Sequence, residues 1–432
     1  METRSPLGPA YRRFVAAAGL ANLGDGIALV SWGWIATQLT RDPLLIALVP
    51  AALKAPWFVF SLPAGIVVDR VDRRRLILWA DLVRSAAYGL AAVALWLALP
   101  LAEAPLRGTA HPALFALIAA AAVLVGAAEV LRDNAAQTML PSIVADAGLE
   151  RANGRLWTVE MVMNTLVGTA AAGLLLGVSL ALPFGVNACA MALAVALLIG
   201  LKGDFRGDPA RGAAGPGWWP DLKEGIAFLL SQPVLRGLAL LTGLFNFAFE
   251  AMMVTLVLVV QERLGLGPLA MSAVMASGAA GGIAAGLTND RIVNRLGRAR
   301  SMQWALLAAP IFPLAVLAAG PGGLWLLCLG FFCSEFGGIM WNTVSVSYRQ
   351  RQIPPRLLGR VNSAYRLFAI GMAPAGMLAA GLATRAASDL AGRETALAAP
   401  FAMATIILVL TTAASWRFLG RAFRVEPLPA PG

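Results

Sequence analysis

Four ionisable side chains stand deep inside long apolar runs of this chain: Asp25, Lys54, Glu250 and Glu335. A charge held in hydrocarbon costs a few kcal/mol or more, so such a residue either pairs with an opposite charge or serves a function. The chemistry open to a lone carboxyl there is proton uptake and release. Apolar surroundings favour the neutral acid, and a neighbouring cation favours the carboxylate. A rise of about 1.5 Å per residue places Asp25 roughly 18 Å and Lys54 roughly 16 Å from the ends of their runs. Asp25 and Lys54 are therefore candidates for one buried pair. Such a pair would either only register two helices or change protonation as the protein changes shape. Glu335 is near the middle of its run, and Glu250 lies in an outer half. Asn22, Asn246 and Asn342 add hydrogen-bonding groups on the same runs. Acidic groups would suit a cationic amphiphile and Lys54 an anion; the residues alone leave that open.

Other chemistries lack their parts. His111 is the only histidine, so neither a His-based zinc site nor an imidazole relay can be built. No G-x-x-x-x-G-K-[ST] or H-E-x-x-H pattern occurs. Leu23-Gly24-Asp25-Gly26 approaches the G-x-G-D pattern of an intramembrane aspartyl protease, but Asn22 takes the place of the first glycine. Met275-Ala276-Ser277-Gly278 likewise lacks the first glycine of G-x-S-G. Cys189, Cys328 and Cys333 sit in apolar runs and read as small hydrophobes. No enzyme activity, cofactor or metal is expected.

The elements that carry these residues follow from composition. Of 432 residues 59% are apolar and only 13% charged, where a water-soluble domain carries about a quarter charged. A hydrocarbon core about 30 Å thick needs about 20 apolar residues per helix. Twelve segments meet that need: 13–38, 43–66, 76–99, 112–132, 156–179, 182–201, 234–260, 268–289, 301–319, 323–346, 361–384 and 396–417. Their continuous apolar character predicts helices rather than barrel strands. With both termini cytoplasmic, 26 of the 34 basic residues fall on the inside and five on the outside, which sets the topology by the positive-inside rule. Arg12 and Arg13 lead into a first span too long for a signal-peptide core. Basic residues never form a face interleaved with aromatics, so nucleic acid is not an expected partner. Asp81, Arg84, Glu129, Arg132, Asp133, Glu160 and Arg366 read as shallower, cytoplasm-side charges. Asp81 with Arg84 and Glu129 with Arg132 are spaced to pair along a helix face.

One loop occurs twice. Gly65-Ile66-Val67-Val68-Asp69-Arg70 runs into Arg73-Arg74-Arg75, and Gly286-Leu287-Thr288-Asn289-Asp290-Arg291 runs into Arg295 and Arg298. The repetition predicts two pseudo-symmetric six-helix bundles with a substrate path between them, a frequent build of secondary transporters. The expected division is 1–201, a linker 202–233 with a short amphipathic helix from Trp218, 234–418, and a cytoplasmic tail 419–432. Under the repeat offset Asn246 takes the register of Asp25.

The loop Gly65, Asp69, Arg70, Arg73, Arg74 resembles the G-x-x-x-D-R-x-x-R-R loop of the major facilitator superfamily. Leu39-Thr40-Arg41-Asp42-Pro43, Lys54-Ala55-Pro56, Gln137-Thr138-Met139-Leu140-Pro141, Ala152-Asn153 and the run from Ile353 to Asn362 are similar to the branch with the enterobactin exporter and macrolide-efflux proteins. Thr169 stands where exporters of this superfamily often carry a proline. The resemblance implies an all-α membrane protein of twelve transmembrane helices that moves a small molecule by alternating access. It further implies proton-coupled efflux of hydrophobic or amphipathic, drug- or siderophore-like compounds by a monomer in a bacterial cytoplasmic membrane. An importer or uniporter of the same fold, a polytopic membrane enzyme and a transport-dead sensor are the alternatives. The resemblance also assigns the repeated loops to a cytoplasmic gate of Gly65, Asp69, Arg70, Arg73, Arg74, Gly286, Asp290 and Arg291, with Arg360 and Arg366 as partners of Asp69. Asp69→Asn is then expected to insert normally and lose cycling in a vesicle transport assay; full transport by the inserted variant would remove Asp69 from the gate.

Overall fold

The computed structural model describes residues 8–144, 149–201, 203, 205, 218–354 and 357–423; of residues 61–66, 69, 70, 150, 218, 221 and 370 it describes the backbone alone. No strand occurs among the described residues. The first bundle has α1 (Pro9–Leu39), α2 (Pro43–Arg70), α3 (Arg73–Ala98), α4 (Pro112–Met139), α5 (residues 149–178) and α6 (Leu182–Ile199). A linker helix, Trp218–Ser231, precedes α7 (Pro233–Leu258), which ends in a π-helical turn, Val259–Arg263. Then come α8 (residues 268–296), α9 (residues 298–318), α10 (Leu324–Gln352), α11 (Leu358–Ala391) and α12 (Arg393–Ala422).

Among the described residues eleven stretches are long and apolar enough to cross a membrane, and one of them, Pro268–Ala318, holds 51 residues. A single helix of that length would measure about 77 Å, more than twice the hydrocarbon core. Gly297 breaks it, with φ 78° and ψ 161°, a left-handed conformation that glycine adopts without strain. The stretch is therefore two spans, α8 and α9, and the total is twelve. The expected loop between them, 290–300, is mostly helix; one glycine makes the break. The loop between α2 and α3 is equally short. Val71 N–H caps α2 by donating to Val67 O, and the Asp72 carboxylate accepts from Arg75 N–H at 2.9 Å to start α3. Proline opens α1, α2, α4 and α7, where its missing N–H costs nothing.

The chain divides into two compact units, one holding α1 to α6 and the other holding the linker helix and, apart from Gly267–Ser272, the remainder. Within the first unit α1 packs on α5 and α6, α3 on α4 and α6, α2 on α4, and α5 on α6. Within the second, α7 packs on α11 and α12, α9 on α10 and α12, and α11 on α12. Adding six to each number of the first set yields the second, and the remaining pair, α8 on α10, is made where Gly281 meets Phe332. Glycines make the closest approaches at matching places. Gly26 meets the Asn164 backbone (α1 on α5) and Gly376 that of Phe247 (α11 on α7). Gly126 meets Leu53 (α4 on α2), and Gly281 meets Phe332 (α8 on α10). Close backbone contact at small residues is how helices associate where lipid removes the hydrophobic drive. The two bundles thus repeat one architecture.

Large apolar side chains face outward: Leu90 and Val93 on α3 and Leu174 and Val178 on α5 are exposed, as expected of a surface whose solvent is lipid. Exposed tryptophans stand near span ends: Trp79, Trp96, Trp304, Trp325 and Trp416, the usual place of interfacial anchors. Tyr11, Phe14, Val68, Ile77, Met139, Leu198 and Phe205 form one buried core that ties the bundle together at the ends of its helices. Arg13 and Arg74 donate to the last carbonyls of α6, at Gly200 and at Leu198 and Ile199, satisfying groups the helix leaves unpaired. A Cβ at Gly126 would enter the Leu53 carbonyl, whereas one at Gly33 would meet open space. Gly126→Ala is therefore expected to cost about 1–3 kcal/mol and to lower the melting temperature in detergent, with Gly33→Ala unchanged; fluorescence-detected size-exclusion after heating reads both.

Candidate functional site

Asp25 is paired with Arg84 of α3. Arg84 has no solvent exposure and reaches Asp81 on its own helix at 3.5 Å. Asp81, equally buried, lies 3.6 Å from Arg132 of α4, which in turn reaches Asp133 at 3.3 Å. The result is one chain of alternating charge, Asp25–Arg84–Asp81–Arg132–Asp133, strung across α1, α3 and α4. The expected Asp81–Arg84 pairing along the helix is present. Arg132, by contrast, pairs with Asp81 and Asp133.

Arg84 stands about two turns from residue 76, where apolar residues begin on α3, and packing there buries it completely. Tyr88, one turn further, packs against Trp32, their ring centroids 5.8 Å apart, and Trp32 meets Phe184 edge-on at 4.9 Å. Trp32 is 1% exposed, so it packs the core above the charge chain and does not line a cavity.

The sequence reading treated Glu129 as peripheral. It is partly buried in α4, where Asp25, Lys54, Arg84 and Asp133 are the charges that act on it. Arg132 and Asp133 act on Glu160 of α5. Five carboxyls, Asp25, Asp81, Glu129, Asp133 and Glu160, thus surround three cations, Lys54, Arg84 and Arg132.

α5 shapes the same region. Val162–Gly168 is π-helical, a local bulge that often marks functional sites. It ends at Gly168, pressed on Gly26 and Leu23 of α1. The helix is thus deformed just before Thr169, the position where exporters often carry proline.

In the second bundle Glu335 of α10 is half-buried, and its Cγ lies 3.0 Å from where a Cβ of Gly278 on α8 would stand. Asn246 donates to Ala369 O at 2.7 Å, joining α7 to α11. Thr242, Tyr365, Trp341 and Ser345 share a hydroxyl network beside it, and the Arg349 guanidinium stacks 3.6 Å over the Tyr365 ring. Glu250 is partly buried in α7.

The other sequence candidates scatter. Asn22 donates to Ala18 O of its own helix at 3.0 Å, and Asn342 is exposed. The side chains of Gly65, Asp69 and Arg70 lie outside the described residues. Arg73 donates its backbone N–H to Phe205 O, and Arg74 caps α6. Asp290 and Arg291 are exposed, Gly286 meets nothing, and Arg366 is exposed. Arg360 pairs with Glu224 on the linker helix, whose Gly225 rests on the Arg360 backbone.

The family model of the Major Facilitator Superfamily matches residues 14–377. The chain belongs to this superfamily. It is a multi-pass membrane transporter of small molecules, and not an enzyme. The chain is 26% identical over 392 residues to the multidrug efflux pump Tap of Mycobacterium tuberculosis, covering 88% of each protein. A Tap pump of Mycolicibacterium fortuitum is 29% identical over 244 residues, covering 53% of this chain and 55% of that one. The fold is similar to the crystal structure of the POT family transporter PepTSo, at TM-score 0.73 and 12% identity over 98% of this chain and all of that one. It is also similar to the nucleoside transporter NupG, at TM-score 0.72 and 14% identity over 95% and 99%.

Removing Arg84 strands the Asp25 carboxylate and leaves Asp81 with Arg132 alone. Arg84→Met is expected to cost about 3–5 kcal/mol, read as a fall in melting temperature, and adding Asp25→Asn should recover part of the loss. A variant that melts like the parent would show that the pair carries no weight.

Proposed function

We propose that this transporter is a proton-driven exporter of hydrophobic or amphipathic small molecules, working as a monomer in a bacterial cytoplasmic membrane with both termini inside. The observation that carries the reading is the Asp25–Arg84 pair, with its surplus of carboxyls around a fully buried arginine. The likeness to pumps named for multidrug efflux supports the direction.

The physics of coupling follows from competition for Arg84. A buried guanidinium cannot give up its charge, so it must keep at least one carboxylate. Asp81 meets that need from the same helix. Asp25, on a different helix, is then the carboxyl that α1 can withdraw or protonate without stranding the cation. A proton on Asp25 loosens the α1–α3 tie; its release restores the tie. Motion of α1 and proton occupancy are thereby linked, as alternating access requires. Glu129, near both Asp25 and Lys54, can hold or pass on the same proton. Asp69 and the arginines of the repeated loops are assigned to the cytoplasmic gate, with Arg360 held by Glu224 in the state described here.

In proteoliposomes with an imposed pH gradient, the parent should move an amphipathic dye against its concentration gradient. Asp25→Asn should keep insertion and downhill exchange but lose gradient-driven accumulation. Movement by the parent that ignores the gradient would establish a uniporter instead.

A further inference from the structure

The two bundles treat their buried acids differently. Asp25 has a resident guanidinium, whereas Glu335 takes no ion pair among the described residues. The basic residue nearest in sequence is Arg349, on the same helix. Arg349 lies 14 positions from Glu335, about 21 Å along the helix. The carboxyl stands instead beside aromatic rings. Phe331, one turn back on α10, shares with Glu335 the space that the missing side chain of Gly278 leaves open. Phe331 continues a ladder of rings: Phe249 stacks on it at 6.2 Å and Phe245 on Phe249 at 6.0 Å, with interplanar angles of 18° and 16°. Phe312 closes the far side at 4.8 Å. Gly338 lies against the edge of Phe245, 3.7 Å from where its Cβ would stand.

A half-buried carboxyl with no internal cation is unsatisfied as an anion, and the faces of aromatic rings carry negative potential. Both features select the same ligand chemistry. Among the described residues no arginine or lysine pairs with Glu335, and the rings beside it offer a hydrated metal ion no oxygen ligand. We infer that Glu335 with Phe331, Phe249 and Phe245 forms a binding site for a monovalent lipophilic organic cation, its charge on the carboxylate and its aromatic or alkyl arms on the ladder. This names a cargo class for the exporter reading and rests on it only in calling the ligand cargo. Binding itself can be tested without transport.

Tetraphenylphosphonium is the probe, with neutral triphenylphosphine oxide as its control, both titrated calorimetrically into the detergent-purified full chain. The parent should bind the cation at least about tenfold more tightly than the neutral control, a gap of about 1.4 kcal/mol. Glu335→Gln should erase that gap, Glu335→Asp should retain most of it, and Phe249→Leu should weaken cation binding several-fold with the protein still monodisperse. Cation binding that survives Glu335→Gln overturns the inference, as does equal affinity for the neutral compound. Loss in both Gln and Asp variants with intact size-exclusion profiles also counts against it, because the carboxylate would then not be the determinant. Binding as described with no gradient-driven transport would instead overturn the exporter reading and leave the site standing.

Discussion

Arg84 has no solvent exposure inside a helical bundle built for lipid, and that single cation constrains much of the first six helices. A guanidinium cannot be neutralised by losing its proton, so the surrounding chain must supply carboxylates wherever it sits. Asp81 does so from the same helix and Asp25 from α1; Arg132 and Asp133 extend the arrangement into α4. The π-helical stretch of α5, the contact of Gly168 on Gly26, and the packing of Trp32 on Tyr88 and Phe184 hold α1 against this chain of charge. Helix packing and charge pairing are one problem here, because a bundle that separated α1 from α3 would strand charges in a low-dielectric interior.

The second bundle repeats the helix pairings without repeating the charges. Asn246, in the register of Asp25, ties α7 to a backbone carbonyl of α11, a bond with no proton to exchange. In the place of the first bundle's acid cluster stands Glu335 beside Phe331, with Glu250 partly buried on α7. In the proposed scheme the first bundle exchanges the proton and the second takes up the cationic cargo.

Much of this was legible in the residues. The repeated loop, the twelve apolar segments and the Asp25 and Glu335 positions gave the fold class and pointed at buried acids. Depth alone misled: Arg84, counted shallow from the first apolar residue, is fully buried between Asp25 and Asp81. Depth suggested Lys54 for Asp25 but could not point to Arg84, because depth says nothing of which helix faces meet. A single glycine, Gly297, did the work expected of an eleven-residue loop, since one left-handed residue suffices to break a helix.

The central claim is that Asp25 exchanges its bond to Arg84 for a proton as substrate comes and goes. The direct test is to add an exported compound to the purified protein in weakly buffered detergent and follow external pH. The account predicts a proton change on binding that is present in the parent and absent in Asp25→Asn. A saturable binding signal with no proton change in the parent would contradict it.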